Sequence, residues 1–170
     1  MKENKIREIE LEKVTLSAGA VGEDLEKAAK LLGIISGMKV IKTASKKRIP
    51  DFGIRPGLEV GCKVTIRGKK AIELLKRLFA SVNNQIKAKQ ISNEDFSFGI
   101  VEYIEIPGIE YQRDIGMRGL NVTVSFKRKG KRVELKRIKR GKIPQRQRVT
   151  KQEIINFLNK HFNINPTEGK

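Results

Sequence analysis

Residues 46–68, KKRIPDFGIRPGLEVGCKVTIRG, decide the fold class. The last third of this stretch alternates: Cys62, Val64 and Ile66 fall on one side, Lys63, Thr65 and Arg67 on the other. Such a period of two marks a half-buried strand. Gly61 and Gly68 bound it. Before it, Gly53, Pro56 and Gly57 exclude helix and regular strand, which makes residues 52–60 a projecting loop. Three cations, Lys46, Lys47 and Arg48, come first. The order is a basic cluster, an exposed loop carrying Arg55, then a strand with one cationic face.

The same alternation recurs on both sides. Residues 6–17 give a first strand, whose second half sets Val14 and Leu16 against Lys13, Thr15 and Ser17. Gly19 and Gly22 then turn the chain into a helix over residues 23–35, with Leu25, Ala28, Ala29, Leu32 and Ile35 at helical spacing and Gly37 to close it. Residues 39–43 form a short strand. Residues 69–85 form the clearest helix, with Ala71, Leu74, Leu75, Leu78, Phe79 and Val82 in one wide apolar stripe. A polar loop over residues 87–95 leads into short strands and an ordered loop over residues 96–109. Phe96 and Phe98 sit there at strand spacing; they fit base stacking, or packing that pins the loop, and burial statistics favour packing. Tyr103 and Tyr111 suit either role. Residues 119–127 alternate again, Leu120, Val122, Val124 and Phe126 against Asn121, Thr123, Ser125 and Lys127. Thr150 and Glu153 form a capping box, with Val149 placed to staple onto Ile154, and open a helix that buries Ile154, Ile155, Phe157, Leu158 and Phe162. The final residues, NINPTEGK, read as a frayed tail.

Between these elements lies the strongest local bias in the chain. Residues 127–148 hold 12 Lys or Arg and one acid, Glu134, so 22 residues carry +11 of the net +18. Val133 and Leu135 suit strand, and the remainder is expected to lack order without a partner. The whole chain has 37 Lys and Arg against 19 Asp and Glu in 170 residues. That excess repels itself and points to a polyanion partner. A localisation signal or heparin-type patch would have the same composition.

Catalysis finds little support in these residues. His161 is the only histidine and Cys62 the only cysteine, so zinc-ligand spacing is absent. Cys62 falls on the apolar side of its strand as a small core residue, and a lone thiol suits a reducing compartment. Glu94 and Asp95 lie in a polar loop without further carboxylates. Neither phosphate-loop nor dinucleotide motifs occur. An apolar run of the ~20 residues needed to span a bilayer is missing, and the first residues lack the apolar core of a signal peptide. The expectation is a cytoplasmic protein that is no enzyme and needs no metal or cofactor.

What remains is the polar side of the strands: Lys13-Thr15-Ser17, Lys63-Thr65-Arg67 and Asn121-Thr123-Ser125-Lys127. With helices on the apolar face, the other face is wet, cationic and rich in hydroxyls. It suits phosphates and 2′-hydroxyls of structured RNA and lacks the aromatics that stack unpaired bases. The expected fold is α+β: a single domain over residues 1–170, with a mostly antiparallel sheet, helices on one face, an open polar face, and the loop projecting at 52–60. Residues 127–148 form its basic arm and 150–163 its C-terminal helix. The rivals are a free RNA-binding module or RNA chaperone, and an RNA-processing nuclease.

Three segments in order carry a resemblance: KRIPDFGIRPGLEVGCKVTIRG (47–68), FSFGIVEYIEIPGIEYQRDIGMRGLNVTVSF (96–126) and KIPQRQRVTKQEIINFLNKHF (142–162). They resemble the large-subunit ribosomal protein five family, in its archaeal and eukaryotic branch. The resemblance implies a structural role: binding 5S rRNA, attaching it in the central protuberance, and contacting peptidyl-site tRNA through a loop. Carried over, Lys13, Thr15, Ser17, Lys46, Lys47, Arg48, Lys63, Thr65 and Arg67 would face 5S rRNA. Gly53, Ile54, Arg55, Pro56 and Gly57 would form the tRNA-contacting loop, with Arg55 on phosphate. Lys127, Arg128, Arg132, Lys136, Arg137, Lys139, Arg140, Lys142, Arg146 and Arg148 would reach further large-subunit rRNA. The other 5S-associated ribosomal protein and a protein of the small-subunit head are the implied protein partners. The chain departs from the family at its glycine-rich turn, which is shorter here and has Ser17 in the place of an Asn.

Overall fold

A computed structural model describes residues 4–164 and 166. Among these residues, β1 (Ile9–Gly19), β2 (Ile41–Ala44), β3 (Glu59–Ile66), β4 (Asp95–Ile100) and β5 (Leu120–Arg128) form one sheet in the order β2-β3-β1-β5-β4. Every neighbouring pair is antiparallel. The helices are α1 (Glu23–Ser36), α2 (Lys69–Ser81), the single turn α3 (Arg132–Leu135) and α4 (Lys151–Phe162). The α+β architecture expected from the alternating strands is the one observed.

The central strand β1 carries a phase change in its sequence. Ile9 and Leu11 are apolar at odd positions, Val14 and Leu16 at even ones. A regular strand would put the two pairs on opposite faces. The register shifts between Leu11, which faces Phe126, and Lys13, which faces Ser125, so β1 takes one extra residue there. That bulge returns both apolar pairs to the helix side. Val14, Leu16, Cys62, Val64, Ile66, Val122, Val124 and Phe126 are all buried on this face. Lying over it, α1 packs against β1 and β3 and α2 against β1.

The aromatic residues tie the layers together. Phe79 of α2 stacks on Phe96 and Phe98 of β4, ring centroids 6.0 and 5.6 Å apart. Phe162 of α4 meets Phe79 edge-on at 5.1 Å, and Phe157 meets Phe126 at 5.3 Å. Phe96 and Phe98 are therefore core residues, and base stacking is not their role. Tyr103 is also buried, its hydroxyl accepting from the Gln112 backbone N–H at 2.9 Å, whereas Tyr111 is exposed. Cys62 is buried as expected, its thiol donating to the Ala18 carbonyl at 3.6 Å. Burial pushes that thiol upward in pKa, against thiolate formation.

Several boundaries differ from the sequence expectation, each for a local reason. A short 3-10 turn at Lys5–Arg7 replaces the first residues of the expected strand. The second helix stops at Ser81, not at residue 85, because Asn83 and Asn84 take left-handed backbone with φ of +51° and +57°. Ile91, within the expected polar loop, and Ile86, just before it, are buried anchors. Val133 and Leu135 stand in a helical turn and not in a strand. Arg128 faces Ile9, the first residue of β1, so the chain beyond it has no strand to pair with. The basic run expected to lack order follows a defined path: the end of β5, α3, and a 3-10 turn at Gln145–Gln147. The capping box at α4 forms as expected, the Thr150 N–H donating to Glu153 at 2.9 Å, with Val149 and Ile154 both buried. Ile164, assigned to a frayed tail, is buried; residues 165 and 167–170 of that tail lie outside the described residues.

Candidate nucleic-acid interface

The register brings the polar side chains of four strands into line. Thr65 faces Thr15, Thr15 faces Thr123, and Thr123 faces Ser97, so four hydroxyls cross β3, β1, β5 and β4 in one row. At ~4.8 Å between strands the row spans ~14 Å. The next row holds Lys63, Ser17, Asn121 and Gly99; on the other side Lys13 and Asp95 flank Ser125. Arg67 follows the end of β3 and is exposed, as is Lys63. None of these residues is buried, so the face opposite the helices is open. Lys13, Thr15, Ser17, Lys63 and Thr65 thus share one surface. Ser97 belongs to it too: it lies between Phe96 and Phe98 at strand spacing, and the pairing of β4 with β5 brings it into the row.

Lys42 shows how narrowly position decides a cation's role. It faces Cys62 across the β2–β3 pair, on the helix side, and is ion-paired to Glu26 and, at 3.6 Å, to Glu59. The Glu26 hydrogen bond holds its ammonium above the ordinary lysine value.

The loop between β2 and β3 continues their hairpin outward. Ser45 and Leu58 are joined by a backbone hydrogen bond of 2.8 Å, and Ile49 and Ile54 exchange two at 3.0 Å. A 3-10 turn at Pro50–Phe52 makes the tip. Gly53 and Gly57, at φ of +63° and +87°, supply conformations that side chains resist. Of residues 46–59 only Ile54 is not exposed, so Lys46, Lys47, Arg48, Arg55 and Pro56 all face solvent. Phe52 at the tip is 75 % exposed, an aromatic the loop pattern alone did not single out as a contact.

The basic run divides into engaged and free cations. Arg128 is only 12 % exposed and grips Glu153 with two hydrogen bonds, 2.6 and 2.7 Å, clamping α4 to the sheet. It also donates to the carbonyls of Arg7 and Arg148. Arg140 donates to the Glu134 carbonyl at 2.6 Å, and Arg148 approaches Glu94 at 3.9 Å. Arg132, Lys136, Arg137, Lys139, Lys142 and Arg146 line the rest of the run, and all six are exposed. Residues 142–149 fold back beside β5 and leave a cleft of about 610 Å3 rimmed by Lys127, Lys142, Arg146 and Arg148.

The loop and the run sit at opposite ends of β1. Ala20, just past β1, bonds to Val60 near the loop, whereas Ile9 at the other end faces Arg128. Eleven residues of strand separate the two regions by on the order of 30 Å. The open face joins them. Groups of three or more metal-ligating side chains do not occur among the described residues, and His161 is exposed against Phe157. No helix among them is long and apolar enough to cross a membrane.

Known proteins match along this whole layout. The family profile described as ribosomal protein L5 matches residues 4–55, and the profile for the C-terminus of the same ribosomal family matches residues 59–164. The large ribosomal subunit protein uL5 of Nanoarchaeum equitans is 44 % identical over 165 residues, covering 95 % of this chain and 98 % of the relative. The protein of that name from Sulfurisphaera tokodaii is 42 % identical over 170 residues, covering 98 % and 96 %. With both halves of the fold matched and nearly full-length relatives above 40 % identity, the chain belongs to the ribosomal protein L5 family, whose members are structural ribosomal proteins and not enzymes.

Proposed function

We propose that this chain is a structural constituent of the large ribosomal subunit that binds 5S rRNA, helps attach it in the central protuberance, and extends its β2–β3 loop toward the peptidyl-site tRNA. The observation that carries this reading is the open sheet face, with hydroxyls in register across four strands and Lys13, Lys63 and Arg67 around them. A firm antiparallel sheet presents these groups at fixed spacing, and fixed donors suit the shape and backbone of a prefolded RNA better than unpaired bases. Lys46, Lys47 and Arg48 at the loop stem extend the 5S surface. Gly53, Ile54, Arg55, Pro56 and Gly57 shape the tRNA-facing tip, with Arg55 on phosphate. The exposed cations of the basic run beyond Lys131 bind large-subunit rRNA, and the flanking surfaces meet the other 5S-associated protein and a small-subunit head protein. The work done is positional: one RNA is held against another, without a reaction.

RNA crosslinking in growing cells, followed by sedimentation of large subunits at raised salt, tests the reading. Crosslinks to 5S rRNA and co-migration with the subunit are expected. Steady loss to free protein, with crosslinks spread over many RNAs, would favour an RNA chaperone outside the ribosome. Cleavage of 5S rRNA by the pure protein with magnesium would favour a nuclease.

A further inference from the structure

The open face is not uniformly cationic. Before the bulge, Glu8 and Glu10 follow the strand alternation onto the open side, and Glu10 directly faces Lys127 of β5. Lys129 lies between Glu8 at 3.3 Å and Glu10 at 3.5 Å, and Lys131 pairs with Glu12 at 2.8 Å. The Glu8 hydrogen bond holds the Lys129 ammonium above its ordinary value. Lys129 and Lys131, at the start of the most basic segment, are thus ion-paired to Glu8, just before β1, and to Glu10 and Glu12 within it, while Lys127 faces Glu10 across the sheet. Past the bulge, the same strand offers Lys13, Thr15 and Ser17, and the acids stop. The change of charge falls where the bulge lies.

We propose that Glu8, Glu10 and Glu12 form a counter-charged border on the open face, which withholds Lys127, Lys129 and Lys131 from phosphate, ends the RNA footprint of the sheet there, and weakens the hold on non-cognate RNA. This rests on the RNA-binding reading above. Binding that is only electrostatic scales with the cations free to displace counterions. A +18 chain faces a large pool of non-cognate RNA, and selectivity needs a repulsive element as well as attractive ones. The border supplies one beside the sheet face. Phosphates reaching Lys129 would have to displace two carboxylates.

The test compares wild type with E8Q/E10Q/E12Q on two probes, 5S rRNA and poly(U), across salt. Glutamine keeps the shape and a hydrogen-bond acceptor for the part-buried Lys131, and the exposed ion pairs of Lys129 contribute little stability. Freeing three cations is expected to steepen the poly(U) salt slope by about 2, so that lowering salt fourfold widens the gap between variant and wild type by roughly tenfold or more. The preference for 5S rRNA over poly(U) should fall. An unchanged poly(U) slope in a folded variant overturns the border. A second measurement uses only the wild-type protein: lysine acylation read by mass spectrometry with and without 5S rRNA. RNA should protect Lys13 and Lys63 and leave Lys129 and Lys131 at their free reactivity; protection of Lys129 and Lys131 overturns the proposal. If wild type holds 5S rRNA no more tightly than poly(U), the RNA reading itself fails, and the border with it.

Discussion

Removing Lys63 and Arg67 together tests whether the open sheet face is the RNA surface. Both are exposed, on or just beyond β3, and each is available to one phosphate. Each phosphate contact contributes about 0.7–0.9 to the slope of log affinity against log salt, so K63A/R67A should flatten that slope for 5S rRNA by about 1.4–1.8. Over a fourfold rise in salt, the affinity deficit of the variant then narrows by roughly tenfold. Stability should hold, since exposed substitutions of this kind stay within about 0.5 kcal/mol. Filter binding or fluorescence titration at several salt concentrations gives the slope, and thermal unfolding checks the fold. Lys42→Ala is the control the structure supplies. It removes one positive charge, one register position from Lys63 but on the helix side, from a lysine already paired to Glu26 and Glu59. Its slope should stay at the wild-type value. An unchanged slope in the double variant would refute the face as the RNA surface. Equal flattening per charge by Lys42→Ala would show that net charge, not position, governs binding.

Replacing Thr15, Thr65 and Thr123 by Val removes three hydroxyls of the row at nearly constant shape; 5S affinity should drop with the salt slope unchanged, and equal affinity in titration would remove the row from the interface. Arg55→Ala should leave 5S affinity intact and weaken retention of peptidyl-site tRNA on ribosomes; a large loss of 5S binding would show that the loop belongs to the 5S surface. Gly119→Ala would place a methyl carbon 2.8 Å from the Ile100 carbonyl oxygen and 2.9 Å from that of Val101, so urea unfolding should show a loss of about 1–3 kcal/mol, while Gly99→Ala, whose nearest neighbour is the Asn121 side chain at 3.4 Å, should cost far less. Glu153→Ala removes both the capping box and the Arg128 clamp, at about 2 kcal/mol. Burial pushes the Glu153 carboxyl up, but the Thr150 N–H and the Arg128 guanidinium outweigh it and hold it below the usual range. A carboxylate depressed in the folded state stabilises above its unfolded value, and that stability is lost as pH falls through the folded one. The gap between wild type and Glu153→Ala in unfolding experiments should therefore close in acid; a gap constant with pH would mean the ion pair is not the source.

Much of the fold was legible because its signals are local. Cys62 to Arg67 alternate within one short strand, and Leu74, Leu75, Leu78 and Phe79 sit on one helical stripe, so neighbours in sequence reveal the buried side. Thr150 and Glu153 lie within one turn, and their capping box needed no distant partner. The end of α2 was less legible, because the left-handed bend at Asn83 and Asn84 competes with an apolar stripe that runs on to Val82. Within the candidate site, exposure of the loop followed from its glycines and prolines. The alignment of Ser97 with the threonine row did not, because strand order is set by pairing between distant segments.

By itself the sequence determined the alternation of the strands, the apolar stripes of the helices, the excess of positive charge and the family. Only the tertiary structure decided which of those charges remain available. Lys129 and Glu8 stand 121 positions apart, and Arg128 and Glu153 stand 25 apart, yet each pair is in contact because β5 runs back along β1 and α4 folds over the sheet. Periodicity reports the side of an element on which a residue lies, since that depends on backbone geometry over a few residues. Neutralisation depends on which distant chain arrives opposite, and that is fixed by the packing of the sheet and its helices as a whole.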